Sequence, residues 1–170
     1  MKLAGTISIA APPGAVWALV TNPIGLARCV PGVGDIRQVD ERTFEGTILA
    51  SVGPVDGSFA FRSVMTTAEF PSALVVEVAG TDSVTKSRLE MTVRAGLTEP
   101  AAGMTDLAYQ AEVKVRGRLA ILGEMVLRAT AGMMIGEVTK CLRSQLEGGA
   151  SGADEGGGTV EMDAARPGIE

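Results

Sequence analysis

The chain contains no histidine. This absence excludes Ser–His–Asp triads, Cys–His dyads, and zinc or haem sites that depend on an imidazole ligand. Any acid–base catalysis has to use Asp, Glu, Tyr or Lys side chains. The composition therefore narrows the possible enzyme classes before any motif is considered.

Cysteine is almost as scarce, since only Cys29 and Cys141 occur. They lie far apart in the sequence and do not have the spacing of a metal site, so no metal is expected. We expect two free thiols, each packed as a small hydrophobic side chain in a reducing compartment.

The sequence also lacks the run of about 18 apolar residues that a membrane-spanning helix requires. The first residues lead directly into a strand pattern, without the charged, apolar and small-residue regions of a secretory leader. We therefore expect a cytoplasmic protein.

Basic clusters are not evident along the sequence. The net charge is −5, and acidic residues beyond Gly148 carry most of the excess. A phosphate-backbone ligand would call for clustered Lys and Arg, so nucleic-acid binding is not expected.

Residues 148–170 are Gly-rich and acidic with few large apolar side chains. We predict a disordered tail there and a single domain over residues 1–147.

The most prominent feature present is a helical pattern from Leu119 to Glu147, followed by the potential helix-ending pair Gly148–Gly149. At helical spacing it carries two apolar stripes, one with Leu122, Val126, Ala129 and Met133, the other with Leu127, Ala131, Met134, Val138 and Leu142. We interpret the helix as one wall of an apolar cavity. Ordinary core packing is the alternative, because methionine fills irregular gaps well.

Alternating apolar and polar residues predict a strand over Leu3–Ala10 and about six further strands after two short helices near Gly14–Val20 and Ile24–Arg28. Such alternation leaves each strand with one buried face, and the long helix is the only element large enough to cover it. The predicted fold class is α+β, an antiparallel sheet curved around its C-terminal helix.

Four segments are similar to motifs of a known family. They are the loop Cys29–Val33, the hairpin Val52–Phe59, the segment Gly103–Tyr109 and the segment Gly117–Gly123. With the order of elements, they resemble the carbon monoxide dehydrogenase G-subunit family, which belongs to the START-like (SRPBCC) helix-grip superfamily. The resemblance covers about residues 1–147.

The resemblance implies a non-catalytic accessory protein of a molybdenum hydroxylase. Such a protein would hold a lipophilic ligand, a quinone, in its cavity and carry it between the enzyme and the membrane. No covalently bound cofactor is implied. The implied partners are the molybdenum hydroxylase subunits and, by peripheral contact, the inner face of the cytoplasmic membrane.

Candidate ligand-binding residues are the apolar inward positions of the predicted strands and helix, with one tyrosine and one glutamate. They are Phe59, Phe61, Met65, Val76, Val78, Leu89, Met91, Val93, Tyr109, Val113, Met125, Ala129, Met133 and Glu137. Tyr109 offers a hydroxyl to a quinone carbonyl, or is a core tyrosine. Glu137 interrupts the apolar arc, and either meets Arg62, Lys86 or Arg94 or reaches solvent.

Cys29, Val30 and Pro31 are placed at the cavity mouth, where they would touch the bilayer or simply cover the end of the cavity.

Two other functions remain open from the sequence. One is an assembly or membrane-recruitment factor for the hydroxylase. The other is a polyketide cyclase-like enzyme using Tyr109, Glu137 or arginines of the pocket.

Overall fold

The computed structural model describes the backbone of residues 1–164 and the side chains of residues 1–147. The elements are β1 (Lys2–Ile9), α1 (Pro13–Val20), α2 (Pro23–Ala27), β2 (Val33–Gln38), β3 (Thr43–Val52), β4 (Val55–Glu69), β5 (Ala73–Asp82), β6 (Ser87–Ala101), β7 (Met104–Arg116), the 3₁₀ helix η1 (Arg118–Leu122) and α3 (Glu124–Ala164). The predicted α+β order is thereby confirmed: one strand, two short helices, six strands and a long final helix.

The strands form one antiparallel sheet in the order β1-β7-β6-β5-β4-β3-β2. Because side chains alternate along a strand, each strand presents one set of residues to α3 and the other set to the opposite side. We call these the inner and outer faces. On β1, Ile7 and Ile9 are buried on the inner face, whereas Thr6 and Ser8 are exposed on the outer face.

The long helix begins later than the sequence predicts. Gly117 and Gly123 have φ angles of 87° and 88°, which side chains other than glycine rarely adopt, and the separate turn η1 lies between them. The predicted start at Leu119 is therefore corrected to Glu124. The helix also continues past Gly148–Gly149 to Ala164, so the predicted end at this pair is wrong. The tail prediction for residues 148–170 falls outside the described side chains and stays a prediction.

Helix α3 is fastened to the free edge of β1 by polar side chains. Arg128 Nη1 donates to the carbonyl of Lys2 at 2.9 Å, and Arg143 Nε donates to that of Ser8 at 3.1 Å. The Glu147 carboxylate accepts from the backbone N–H of Ala10 at 2.8 Å. These bonds satisfy edge groups that would otherwise stay open to another strand.

The apolar core is divided into two clusters. The first, at the α1 and α2 end, contains ten buried residues: Ile7, Ile9, Ala11, Val16, Val20, Cys29, Leu74, Leu97, Leu107 and Leu142. The second, at the η1 end, contains Val52, Phe59 and Leu119, with half-buried Ile48, Val55, Val115, Leu122, Val126 and Leu127 around them. Helix α3 reaches both clusters and so bridges the two ends of the sheet.

Cys29 and Cys141 form a disulfide, with Cα atoms 5.2 Å apart, so the prediction of two free thiols is wrong. The two residues are separated by 112 positions, and only the tertiary fold brings the loop after α2 beside α3. Distant cysteines carry no sequence signal that distinguishes a bridge from two packed thiols.

Candidate functional site

Three cross-strand rows of side chains line the middle of the inner face. Strand register places Met65 beside Val76 and Val76 beside Val93. A second row joins Ser63, Val78, Met91 and Val113. A third joins Phe61, Gly80, Leu89 and Val115. The pairing thus brings eight of the predicted ligand-binding residues into one apolar surface.

Most of these side chains are only half-buried, although they lie on the face that α3 covers. This holds for seven of the predicted residues, namely Phe61, Met65, Val76, Val78, Leu89, Met91 and Val93. In a filled core, large apolar side chains are close-packed on all sides and lose nearly all their accessible surface. We conclude that the space in front of the rows is not filled by the protein's own side chains.

Four residues of α3 face the same space and are likewise half-buried: Thr130, Ala131, Met134 and Ile135. Together with the three rows they bound what we call the central hollow. The backbone of α3 comes near the sheet chiefly at β1 and β3, which lie toward opposite ends of the strand order. The backbone of α3 therefore makes few close contacts with the strands between them.

The predicted helix residues of the site lie on the wrong side of α3. Met125 and Met133 are 85% and 67% exposed, and Ala129 is exposed beside them. Ala129 and Met133 of the first stripe face away from the sheet, although Val126 of the same stripe packs on the second cluster, and the stripe of Ala131, Met134 and Leu142 faces inward. Only the inward stripe ends on a fully buried residue, Leu142. Both stripes are visible in the sequence, but apolar spacing alone does not tell which one meets the sheet.

Glu137 also lies on the outward face, with its side chain 58% exposed. Its carboxylate is 3.5 Å from Lys140 Nζ on the next turn, not beside Arg62, Lys86 or Arg94. The solvent-exposed alternative for this residue is the correct one.

Two predicted strand residues are fully buried. Phe59 is 6% exposed and forms part of the second cluster, and Val113, at the end of the second row, is 7% exposed and belongs to neither cluster. At the predicted mouth, Cys29 is 4% exposed within the first cluster, Val30 is half-buried and Pro31 is exposed. The disulfide holds this loop against α3, so the loop covers that end of the molecule.

The hollow contains few polar groups. Tyr109 is half-buried on the inner face and packs against the first cluster. Its ring lies across Gly5, where an added Cβ would come within 2.6 Å of the tyrosine hydroxyl oxygen, so any larger residue there would have to push the ring aside. Ser63, which is not among the predicted site residues, adds a second hydroxyl, and its alternation with Phe61 and Met65 is the signal that places it on the same face.

A buried polar network lies at the η1 end, next to the third row. The Asp82 carboxylate accepts hydrogen bonds from the N–H groups of Val84 and Ser58 at 2.8 and 3.3 Å and from the Thr85 hydroxyl at 3.0 Å. Burial by itself raises the pKa of Asp82, but these hydrogen bonds outweigh it and hold the pKa below its usual value. The Ser87 hydroxyl accepts from the N–H of Leu119 at 3.1 Å and so ties η1 to this network.

Charged residues of the central strands occupy the outer face. Two open depressions lie there, of about 630 and 420 Å³, and Val78 and Met91 of the second row also border the smaller one. The larger is lined mainly by small side chains such as Ala4, Ala108 and Gly96, and the smaller by charged ones such as Arg62, Glu90 and Lys114. Over the described residues, no group of three His, Cys, Asp or Glu side chains is placed to hold a metal ion.

Comparison with solved structures places this fold among known ones. A conserved protein from Geobacillus kaustophilus superimposes with a TM-score of 0.80 at 19% identity, over 86% of this chain and 95% of that chain. The ZhuI aromatase/cyclase from Streptomyces sp. R1128 gives 0.63 at 14% identity, over 86% and 93%. A START superfamily protein from Mycobacterium smegmatis gives 0.59 at 12% identity, over 86% and 97%. The predicted helix-grip fold of the START-like superfamily is confirmed.

No curated protein sequence matches the chain significantly. No helix in the described part of the chain combines the length and the apolar character needed to cross a bilayer. The family model for the carbon monoxide dehydrogenase G-subunit (CoxG) matches residues 5–147, which run from within β1 to the end of the described side chains of α3. The chain belongs to the carbon monoxide dehydrogenase G-subunit (CoxG) family.

Proposed function

We propose that the chain is a non-catalytic accessory protein that holds a quinone or similar lipophilic guest in the central hollow. It would carry this guest between a molybdenum hydroxylase of the carbon monoxide dehydrogenase type and the membrane. The observation that carries the proposal is the band of half-buried apolar side chains between two packed clusters. An apolar hollow with a few hydroxyls suits a ligand that is mostly hydrocarbon with one or two carbonyl acceptors.

The polar groups support the same ligand class. The hydroxyls of Ser63 and Tyr109 lie on the inner face, on different strands. Each can donate one hydrogen bond to a carbonyl oxygen, and neither brings a charge into the hollow. The chemistry favours a neutral guest with separated carbonyl groups.

A cyclase reaction is less well supported by these residues. Acid–base steps require a titrating group within hydrogen-bond reach of the substrate. Arg62, Arg88 and Arg94 lie on the outer face, and Glu137 is exposed on the outward face of α3. Asp82 is buried and already accepts three hydrogen bonds.

The direct test is organic extraction of the purified chain, followed by mass spectrometry for quinones and lipids. We expect a bound quinone. Val78→Trp places a large ring in the hollow and should reduce the recovered guest at least tenfold. Glu77→Trp is the matched control, because this neighbouring residue points to the outer face and should leave the guest unchanged.

Absence of any lipophilic guest from the unmodified chain, together with no uptake of added quinone, would contradict the carrier role. Hydroxylase activity in cells distinguishes the carrier role from the remaining alternative, an assembly or recruitment factor. If cells carrying Val78→Trp keep full hydroxylase activity although the guest is lost, the chain acts as an assembly or recruitment factor and the hollow is incidental.

A further inference from the structure

Three large apolar side chains protrude at the η1 end of the molecule. Val84 in the β5–β6 turn is 79% exposed, Ile121 in η1 is 82% exposed, and Met125 in the first turn of α3 is 85% exposed. The turn and η1 are held together, since Leu119 N–H bonds to Ser87 Oγ at 3.1 Å and the backbone of Gly117 packs on the carbonyl of Lys86. We call residues 83–88 and 116–125 the η1 surface.

Four exposed basic side chains belong to the same two segments. They are Lys86, Arg88, Arg116 and Arg118, and Arg88 lies directly beside Arg116 across the β6–β7 pair. Among residues 1–147, none of the four makes an ion pair. Like charges directly opposite on neighbouring strands weaken a sheet, so an anionic partner outside the chain would relieve this repulsion.

The acidic groups nearby do not neutralise this charge. Glu124 is already paired with Arg128 at 2.7 Å. Asp82 is 3% exposed, and its carboxylate points into the buried network. The η1 surface is therefore positive, although the chain as a whole carries a net charge of −5.

We propose that the η1 surface docks on an anionic lipid bilayer. Val84, Ile121 and Met125 enter the headgroup region, and the four basic side chains bind lipid phosphates and carboxylates. A bilayer fits better than an acidic protein, because the three apolar groups protrude singly from turns. Such groups suit a fluid interface and do not form the flat, closely packed patch of a protein interface.

The placement connects the surface to the hollow. Arg88 directly precedes Leu89 and Arg116 directly follows Val115, and these two apolar residues belong to the third row of the hollow. A bilayer on the η1 surface thus lies next to the end of the hollow. Docking at this surface deepens the proposed carrier function. It depends on that function only for its purpose, which is to bring the hollow close to the membrane.

The test is co-sedimentation of the full chain with quinone-free vesicles of phosphatidylcholine, with or without phosphatidylserine, at low and high salt. We expect binding to the anionic vesicles at low salt and its loss at high salt. Each basic residue contributes about fivefold to such binding, so Arg116→Gln with Arg118→Gln should weaken it about 25-fold. Ile121→Ser with Met125→Ser should weaken it further.

Matched controls lie on the same chain. Arg28 and Arg94 lie at a distance from η1 and take part in none of the ion pairs within residues 1–147, so Arg28→Gln with Arg94→Gln should leave binding unchanged. Met133→Ser is the control for Met125, since both are exposed on α3. Equal loss in the controls would overturn the proposal.

No binding to anionic vesicles at low salt would also overturn it. If Arg116 and Arg118 were nevertheless needed to retain a hydroxylase subunit, the η1 surface would be assigned to an acidic protein. Guest extraction from the same preparations keeps the two proposals separate. If the chain contains quinone but does not bind vesicles, only the docking proposal is contradicted. If it binds vesicles but contains no guest, only the carrier function is contradicted.

Discussion

The packed ends and the hollow centre of this molecule are built from the same strands, with the same alternation of apolar and polar residues. They differ in how tightly the side chains of the inner face are packed. At the first end, α1, α2 and α3 converge on Ile9, Val16 and Leu142, which are at most 1% exposed. In the centre, only α3 faces the sheet, and Val78 and Met91 remain half-buried. Apolar side chains on a strand are therefore not enough to make a core, because the number of covering elements decides whether the space is filled.

The largest expected difference comes from truncating a side chain at a packed end. Leu142→Ala should lower the free energy of unfolding by about 2–5 kcal/mol, because it removes a fully buried side chain and leaves a cavity. Met133→Ala on the outward face of the same helix should change it by less than about 0.5 kcal/mol. Urea denaturation of both variants measures this. Equal losses would mean that the helix is not packed as described.

Reducing the disulfide should have the next largest effect on stability, and it tests only the first packed end. The bond joins residues 112 positions apart, and such cross-links typically contribute about 2–4 kcal/mol. Thermal unfolding with and without dithiothreitol should show a lower Tm in the reductant. The double variant Cys29→Ala with Cys141→Ala is the control and should not respond. If the unmodified chain also fails to respond, the bridge is not formed.

Truncation in the hollow centre should cost much less. Met91→Ala removes a side chain that still contacts solvent-accessible space, so we expect a loss of about 1 kcal/mol. Denaturation of the guest-free chain gives the comparison with Leu142→Ala directly. A loss as large as that of Leu142→Ala would show that the centre is packed and would remove the hollow.

The smallest effect is confined to acid pH and concerns the second packed end. The pKa of Asp82 is lowered in the fold, so its ionised form stabilises the fold above the unfolded pKa of about 3.9. That contribution is lost as the pH falls through the lower pKa of the folded state. Urea denaturation should show a smaller stability difference between the unmodified chain and Asp82→Asn at pH about 3 than at pH about 7. A pH-independent difference would contradict this role of the carboxylate.

The shared face of the candidate strand residues was predictable because strand alternation has a period of two. Once Phe61, Met65, Val78 and Met91 are assigned to strands, their common face follows without knowledge of the fold. The helix was less predictable. Its two apolar stripes are similar in length, and the choice between Met133 and Met134 depends on how α3 is fastened to β1 through Arg128 and Arg143.

The sequence by itself determined the order of elements, the inner faces of the strands and the family, because these depend on local periodicity and short motifs. Only the tertiary structure decided that Cys29 meets Cys141, that the apolar side chains of the centre stay half-buried, and that Arg88 lies beside Arg116. Each of these depends on distances between residues far apart in the chain. Such distances are set by strand register and by the points where α3 is attached, and no local pattern in the sequence encodes them.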